Sequence, residues 1–192
     1  MRTAVTAYGV VTFVLALVAP VATQDVPSRM REWSTALGVQ CTHCHVDVAW
    51  SDSSKPTFEF AQRMRRMVDA LNAGALKDVG VIACWTCHRG QTRPPRLPAA
   101  SWRGIRDQHV GEFTSPAGAL TMSVYAASLG VECSHCHEPG SFTAPTRPAH
   151  AMVAKMLPIF DEIPKHFDNS RMPTTQCYMC HQGRPKPERS PQ

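Results

Sequence analysis

The sequence predicts a mainly α, loop-rich protein of two duplicated halves, organised around prosthetic groups that form much of its core. Three observations predict this. Four Cys-x-x-Cys-His motifs use all eight cysteines: Cys41/Cys44/His45, Cys84/Cys87/His88, Cys133/Cys136/His137 and Cys177/Cys180/His181. The chain repeats itself with an offset of 92 or 93 residues, so that each half carries two of these motifs. Each half also carries two helix signals, while strand signals are weak.

The motif spacing suits covalent attachment of haem c. Two cysteine sulfurs form thioethers and the adjacent histidine becomes the proximal iron ligand. A zinc-ribbon reading would use paired knuckles, four thiolates to a metal, and gives no reason for a histidine after every pair. A disulfide scaffold would need no histidines at all. The sequence therefore predicts a multihaem cytochrome c with four covalently bound haems.

Along the chain, residues 1–23 read as an export signal. Arg2 supplies the positive start, Val10–Val18 the apolar core, and Ala19–Thr23 the small residues before polar Gln24. The apolar core is short for a spanning helix, which needs roughly 20 residues. Cleavage near Ala22 or Thr23 is expected, and the mature protein is expected to be periplasmic, soluble or peripheral to the inner membrane. No cysteine precedes Cys41, so no N-terminal lipid attachment is expected.

Residues 24–90 form the first dihaem module. Ser28 is the expected N-cap of a helix over Arg29–Leu37 that Gly38 stops in the left-handed conformation. A second helix is expected from about Thr57 to Leu71. Residues 91–115 read as a linker, with Pro94, Pro95 and Pro98 and little apolar periodicity. Residues 116–183 form the second module, its first helix starting at Ser115-Pro116 and stopping at Gly130. Its second helix spans Ala149–Ile163, bent or shortened by Pro158. Residues 184–192 are a flexible tail.

Composition narrows the function. The mature chain offers about 42 residues per motif, too few to bury each porphyrin in its own core, so the haems must lie close together. The formal charge of +5 invites a nucleic-acid reading. Loss of Arg2, eight propionates at roughly −8 and four ferric centres at roughly +4 bring it near zero. Nucleic acid is not an expected partner.

The sixth ligand of each iron decides between electron transfer and substrate chemistry. His43 and His135 lie inside attachment loops, leaving His109, His150 and His166 for four irons. Methionine is better placed. Met30 and Met122 each lie eleven residues before a motif, and Met64 and Met156 each lie nineteen after a motif histidine. A single methionine at such a place is ordinarily a gap-filler. Four at duplicated positions, one per haem, argue for ligands. Met67, Met152, Met172 and Met179 are read as packing or surface residues.

Leu37-Gly-Val-Gln-Cys41, Ala61-Gln-Arg-Met64-Arg-Arg-Met67-Val-Asp-Ala-Leu-Asn72, Cys84-Trp-Thr-Cys-His-Arg-Gly90 and Cys177-Tyr-Met-Cys-His-Gln-Gly183 together carry a resemblance. Over most of residues 28–187 the chain resembles the tetrahaem cytochrome subunit of purple-bacterial photosynthetic reaction centres. The resemblance implies two dihaem halves related by a pseudo-twofold, each haem against a short helix, and electron delivery along a row of haems. The chain departs from that pattern in being shorter and in lacking a lipid-bearing cysteine. It also lacks a histidine in Ala73–Gly80, where the family places its one non-proximal histidine ligand.

These readings converge on an electron-transfer protein, not an enzyme: a carrier with four His/Met haems. Its expected partners are redox proteins, namely a membrane photosynthetic or respiratory complex and a small soluble carrier. Two alternatives belong to other classes. A multihaem reductase would leave one iron open, and a polymerising or partner-bound conduit would draw ligands between subunits.

Overall fold

The computed structural model describes residues 26–109, 111, 115–167 and 177–190. The segment 1–23 that the sequence predicts as an export signal, and Met172, lie outside the described residues. Within them the chain is helical and loop-rich, with no strand and only two isolated bridges, Val46 with Ala49 and Glu138 with Ser141.

Helix α1 (Val26–Leu37) is already running before Ser28, with Pro27 in its first turn. Proline fits there because the first helical N–H groups have no partner in any case. Ser28 is thus a helical residue and not the N-cap that the sequence predicts. Helix α2 (Pro56–Ala73) starts on its own proline and ends at Gly74, whose N–H reaches the Ala70 carbonyl at 2.9 Å. The short α3 (Cys84–His88) holds the second motif.

Helix α4 (Ala99–Gln108) lies within the 91–115 joint, a stretch with little apolar periodicity in the sequence. Trp102 and Ile105 are its only large apolar residues, too few to register as a stripe. Both are half-buried, Arg103 and Arg106 lie over the Trp102 ring, and α4 packs against α5.

Helix α5 (Pro116–Leu129) follows its sequence signals. The Ser115 hydroxyl accepts the Gly118 N–H at 3.1 Å, and the helix ends at left-handed Gly130. The predicted Ala149–Ile163 helix is divided. Helix α6 (Pro148–Met156) stops before Pro158, which has no N–H to continue the ladder. A single turn, α7 (Ile159–Glu162), and a 3₁₀ turn (Ile163–His166) follow. The fourth motif sits on α8 (Tyr178–His181).

The ends of α1 and α5 fix where the motifs go. Gly38 (φ 64°) lies so close to Gly90 that a Cβ would collide with its carbonyl oxygen, and Gly130 (φ 63°) meets Gly183 in the same way. The Gly90 N–H donates to Ala36 O at 2.8 Å and the Gly183 N–H to Ser128 O at 2.9 Å. These contacts lock α3 onto α1 and α8 onto α5, while α3 and α8 pack on each other.

The core joins α2 to the segment after α6. Leu71 and Leu76 are buried with Ile163 and Phe167, and Met64, Met67, Ile82 and Met156 pack around them. Asn72 pins the return of the chain, donating to Ile82 O and accepting from Ile82 N, both at 2.9 Å.

Candidate haem-binding sites

The first and third motifs are built alike. Cys41–His43 and Cys133–His135 are 3₁₀ turns, each entered from an extended residue after the glycine that ends the preceding helix. Cys44 and Cys136 close these turns with N–H bonds to Cys41 O at 3.3 Å and Cys133 O at 3.2 Å. The second and fourth motifs instead lie on α3 and α8, each ended by a left-handed residue, Arg89 or Gln182, at φ 48°.

Haem ligation by such a motif needs an imidazole with its proton on Nδ1 and its lone pair on Nε2. Three motif histidines meet that requirement. His45 Nδ1 is 2.7 Å from Trp50 O, His88 Nδ1 is 2.8 Å from Gln91 O, and His181 Nδ1 is 2.9 Å from Arg184 O. A carbonyl only accepts, so each Nδ1 is the donor and each Nε2 is left with its lone pair. Burial pushes the His88 imidazole below its usual pKa against the opposing bonds to Gln91 and Thr92. Burial does the same at His181, and the Arg89 charge adds to it. Both rings are thereby favoured in the neutral form that binds metal.

His137 differs. Its Nδ1 is buried with no hydrogen-bond partner, and its ring lies 5.6 Å from Phe142 and 5.5 Å from His150. At the corresponding place in the first half, Phe58 lies 5.4 Å from His45.

Two cavities collect these groups. One of about 410 Å³ is lined by Cys84, Cys87 and His88 of the second motif and by Cys177, Cys180 and His181 of the fourth. Met64 and Met156 line it too, together with the packing residues Met67 and Met179. Its volume lies within the ~300–1,000 Å³ common for ligand sites, and its lining is predominantly apolar. A smaller cavity of about 50 Å³ joins Met30 to Cys41, Cys44, His45 and Phe58. Trp33, Leu37, Cys44 and Ala61 line both cavities, so the first motif adjoins the space between the second and fourth.

Met122 is 40 % exposed on α5 and lines neither cavity. The structure therefore brings Met30 to the first motif and both Met64 and Met156 to the second and fourth, while Met122 shares neither cavity. Of the other histidines, His166 is held by Glu162 at 3.0 Å, and His109 caps α4. His43 and His135 are exposed within the attachment turns.

The thiols of Cys84 and Cys177 are pushed up by burial, with the Glu32 charge adding to the effect at Cys84. Cys44 and Cys136 are also raised by burial. Cys87 and Cys180, both haem attachment points on the sequence reading, are joined sulfur to sulfur. A disulfide and a thioether are alternatives for one sulfur atom. Haem attachment at these two positions therefore uses the pair as two separate thiols.

Sequence reasoning missed Arg89. Its side chain is 12 % exposed, its guanidinium donates to Gln182 Oε1 at 3.0 Å and Cys180 O at 2.8 Å, and its Nε is buried without a protein acceptor. An arginine directly after a motif histidine, where the repeat has Gln182, was the available signal, but its partners lie across the molecule.

The tautomers and the shared apolar cavity fit haem c as the bound group. The sequence profile of the family described as photosynthetic reaction centre cytochrome C subunit matches residues 2–119, more than half of the chain and including the first two motifs. The chain belongs to the family of photosynthetic reaction centre cytochrome c subunits, which are haem c electron-transfer proteins.

Proposed function

We propose that the chain is an exported tetrahaem electron carrier of two dihaem modules, residues 24–90 and 116–183, joined by 91–115 and followed by a short tail from 184. The observation that carries this reading is the single apolar cavity lined by two complete motifs and by two methionines at repeat-matched positions. Bound haem supplies one-electron ferric/ferrous chemistry at each site. The cysteine pairs Cys41/Cys44, Cys84/Cys87, Cys133/Cys136 and Cys177/Cys180 hold the four groups. His45, His88, His137 and His181 are the proximal ligands, and Met30, Met64, Met122 and Met156 the distal ones.

The shared lining supports a second and fourth site side by side with the first adjoining them. The third follows Gly130, which abuts the fourth at Gly183. Electrons pass along the row first, second, fourth, third, or in reverse. Thioether ligation favours the ferrous state and gives high potentials. That suits delivery to a photo-oxidised reaction centre or to a high-potential respiratory acceptor on the periplasmic side, with a small soluble carrier as donor. No helix among the described residues is long and apolar enough to cross a membrane, and docking is peripheral on this reading.

The exposure of Met122 favours a second reading at one site, a reductase with an open third iron. Carbon monoxide separates the two. The reduced native carrier shows no carbon monoxide difference spectrum, and intact-mass measurement shows four haem additions. Carbon monoxide binding to one haem of four establishes the open iron. Fewer than four additions removes a motif from the assignment.

A further inference from the structure

We propose that Arg89 is a fixed buried cation that sets the reduction potentials of the second and fourth sites together. The inference rests on the tetrahaem reading and concerns a residue that is neither an attachment cysteine nor an iron ligand.

Its placement is specific. Arg89 follows the second motif's His88 directly and reaches across to the fourth motif, donating to the Cys180 carbonyl at 2.8 Å and to Gln182 at 3.0 Å. It occupies a left-handed backbone position that only a few non-glycine residues adopt. The side chain is 12 % exposed and Nε has no protein acceptor, so its charge is screened little by water. Among the described residues the carboxylate paired with it is Glu188, 3.8 Å away and itself 44 % exposed, which also binds Arg184 at 3.2 Å. Gln182 stands at the position equivalent to Arg89, with the same backbone angle and no charge. One cation therefore serves two sites.

The sign follows from charge. Reduction adds one electron to an iron site and lowers its net charge by one. A nearby fixed positive charge favours that product, so Arg89 raises the potential of both neighbouring sites. Neither the first nor the third motif is among its hydrogen-bond and ion-pair partners.

Potentiometric titration of the holoprotein, resolved into four one-electron components, reads this out. In Arg89→Gln, two components move to more negative potential, each by about tenfold in the ferric-to-ferrous ratio, or about 59 mV for a one-electron couple. The other two stay in place. Glutamine already occupies the same backbone conformation at Gln182, so the variant is compatible with the turn. Arg89→Lys restores most of the shift, which a purely structural clamp would not do, because lysine lacks the forked geometry.

Glu188→Gln supplies a reading independent of folding, since it removes a half-exposed charge. It moves the same two components in the opposite direction, to more positive potential. Four unmoved components in Arg89→Gln, a uniform shift of all four, or a Glu188→Gln shift of the same sign as Arg89→Gln overturns the proposal. Intact-mass haem counts on the same samples test the tetrahaem reading separately.

Discussion

The carbonyls of Trp50, Gln91 and Arg184 each accept a bond from a motif imidazole and so choose its tautomer. No charged partner is needed, because a backbone carbonyl accepts only and the choice is binary. On the proposed reading the methionines carry the decision between transfer and catalysis. Met64→Ala opens one iron to carbon monoxide and leaves the other three unreactive. An unchanged carbon monoxide spectrum removes Met64 from the ligand set. Met64→His keeps that iron closed and lowers its potential, since imidazole favours ferric iron more than thioether does. Asn72 acts at the same scale without touching a site. Its two bonds to Ile82 hold the approach to Cys84. Asn72→Ala leaves partly buried Ile82 groups without partners, a loss of about 1–3 kcal/mol. That amounts to a melting point lower by several degrees, at roughly 2–4 °C per kcal/mol for a chain of this size. A melting point unchanged within a degree would show that water replaces the side chain.

Elements are where sequence signals were strongest when their cause was local. The start of α5 was legible because Ser115 caps Gly118 within its own turn, and its end because Gly130 needs only its own left-handed backbone. The break at Pro158 was legible for the same reason, one residue lacking an N–H. The joint was not. Helix α4 forms against α5 with two large apolar residues, so its stability comes from packing that no local pattern records. The glycines at the helix ends show both kinds of cause at once. Gly130→Ala meets the left-handed penalty of about 1–2 kcal/mol and also a collision with the Gly183 carbonyl, which displaces α8. Gly140 has a similar φ, 77°, with nothing near its would-be Cβ, so Gly140→Ala meets the backbone penalty alone. Chemical denaturation of the two variants gives the difference, with Gly130→Ala the less stable. Equal losses would mean that the Gly130–Gly183 approach does not constrain the fold.

At the scale of the whole molecule, the motifs were legible because each is five consecutive residues, whereas the cavity they share was not. It forms only when α2 of the first half packs on the segment from Ile159 to Phe167 of the second, and no spacing within either half encodes that meeting. Arg89 was hidden for the same reason, its partners lying about ninety residues away. The shared cavity also bears on the fourth site, where the family pattern and the internal repeat disagree. The family places a histidine between the second helix and the second motif. Here that stretch is a turn buried through Leu76, with no histidine from Asn72 to Cys84. The repeat offers Met156, and the structure puts Met156 on the same cavity as His181 and Met64. Among the alternatives, His150 packs on His137 of the third motif and His109 sits at the end of α4, and neither lines this cavity. Pro158 ends α6 two residues after Met156, so it shortens the helix without removing the methionine from it. The proposed function therefore takes Met156 as the fourth distal ligand. Near-infrared magnetic circular dichroism of the oxidised protein shows thioether ligation at all four irons, and Met156→Ala removes one such component. A bis-histidine component that survives Met156→Ala but disappears in His109→Ala or His150→Ala would reverse the assignment, because the ligand would then come from outside the cavity that holds the second and fourth motifs.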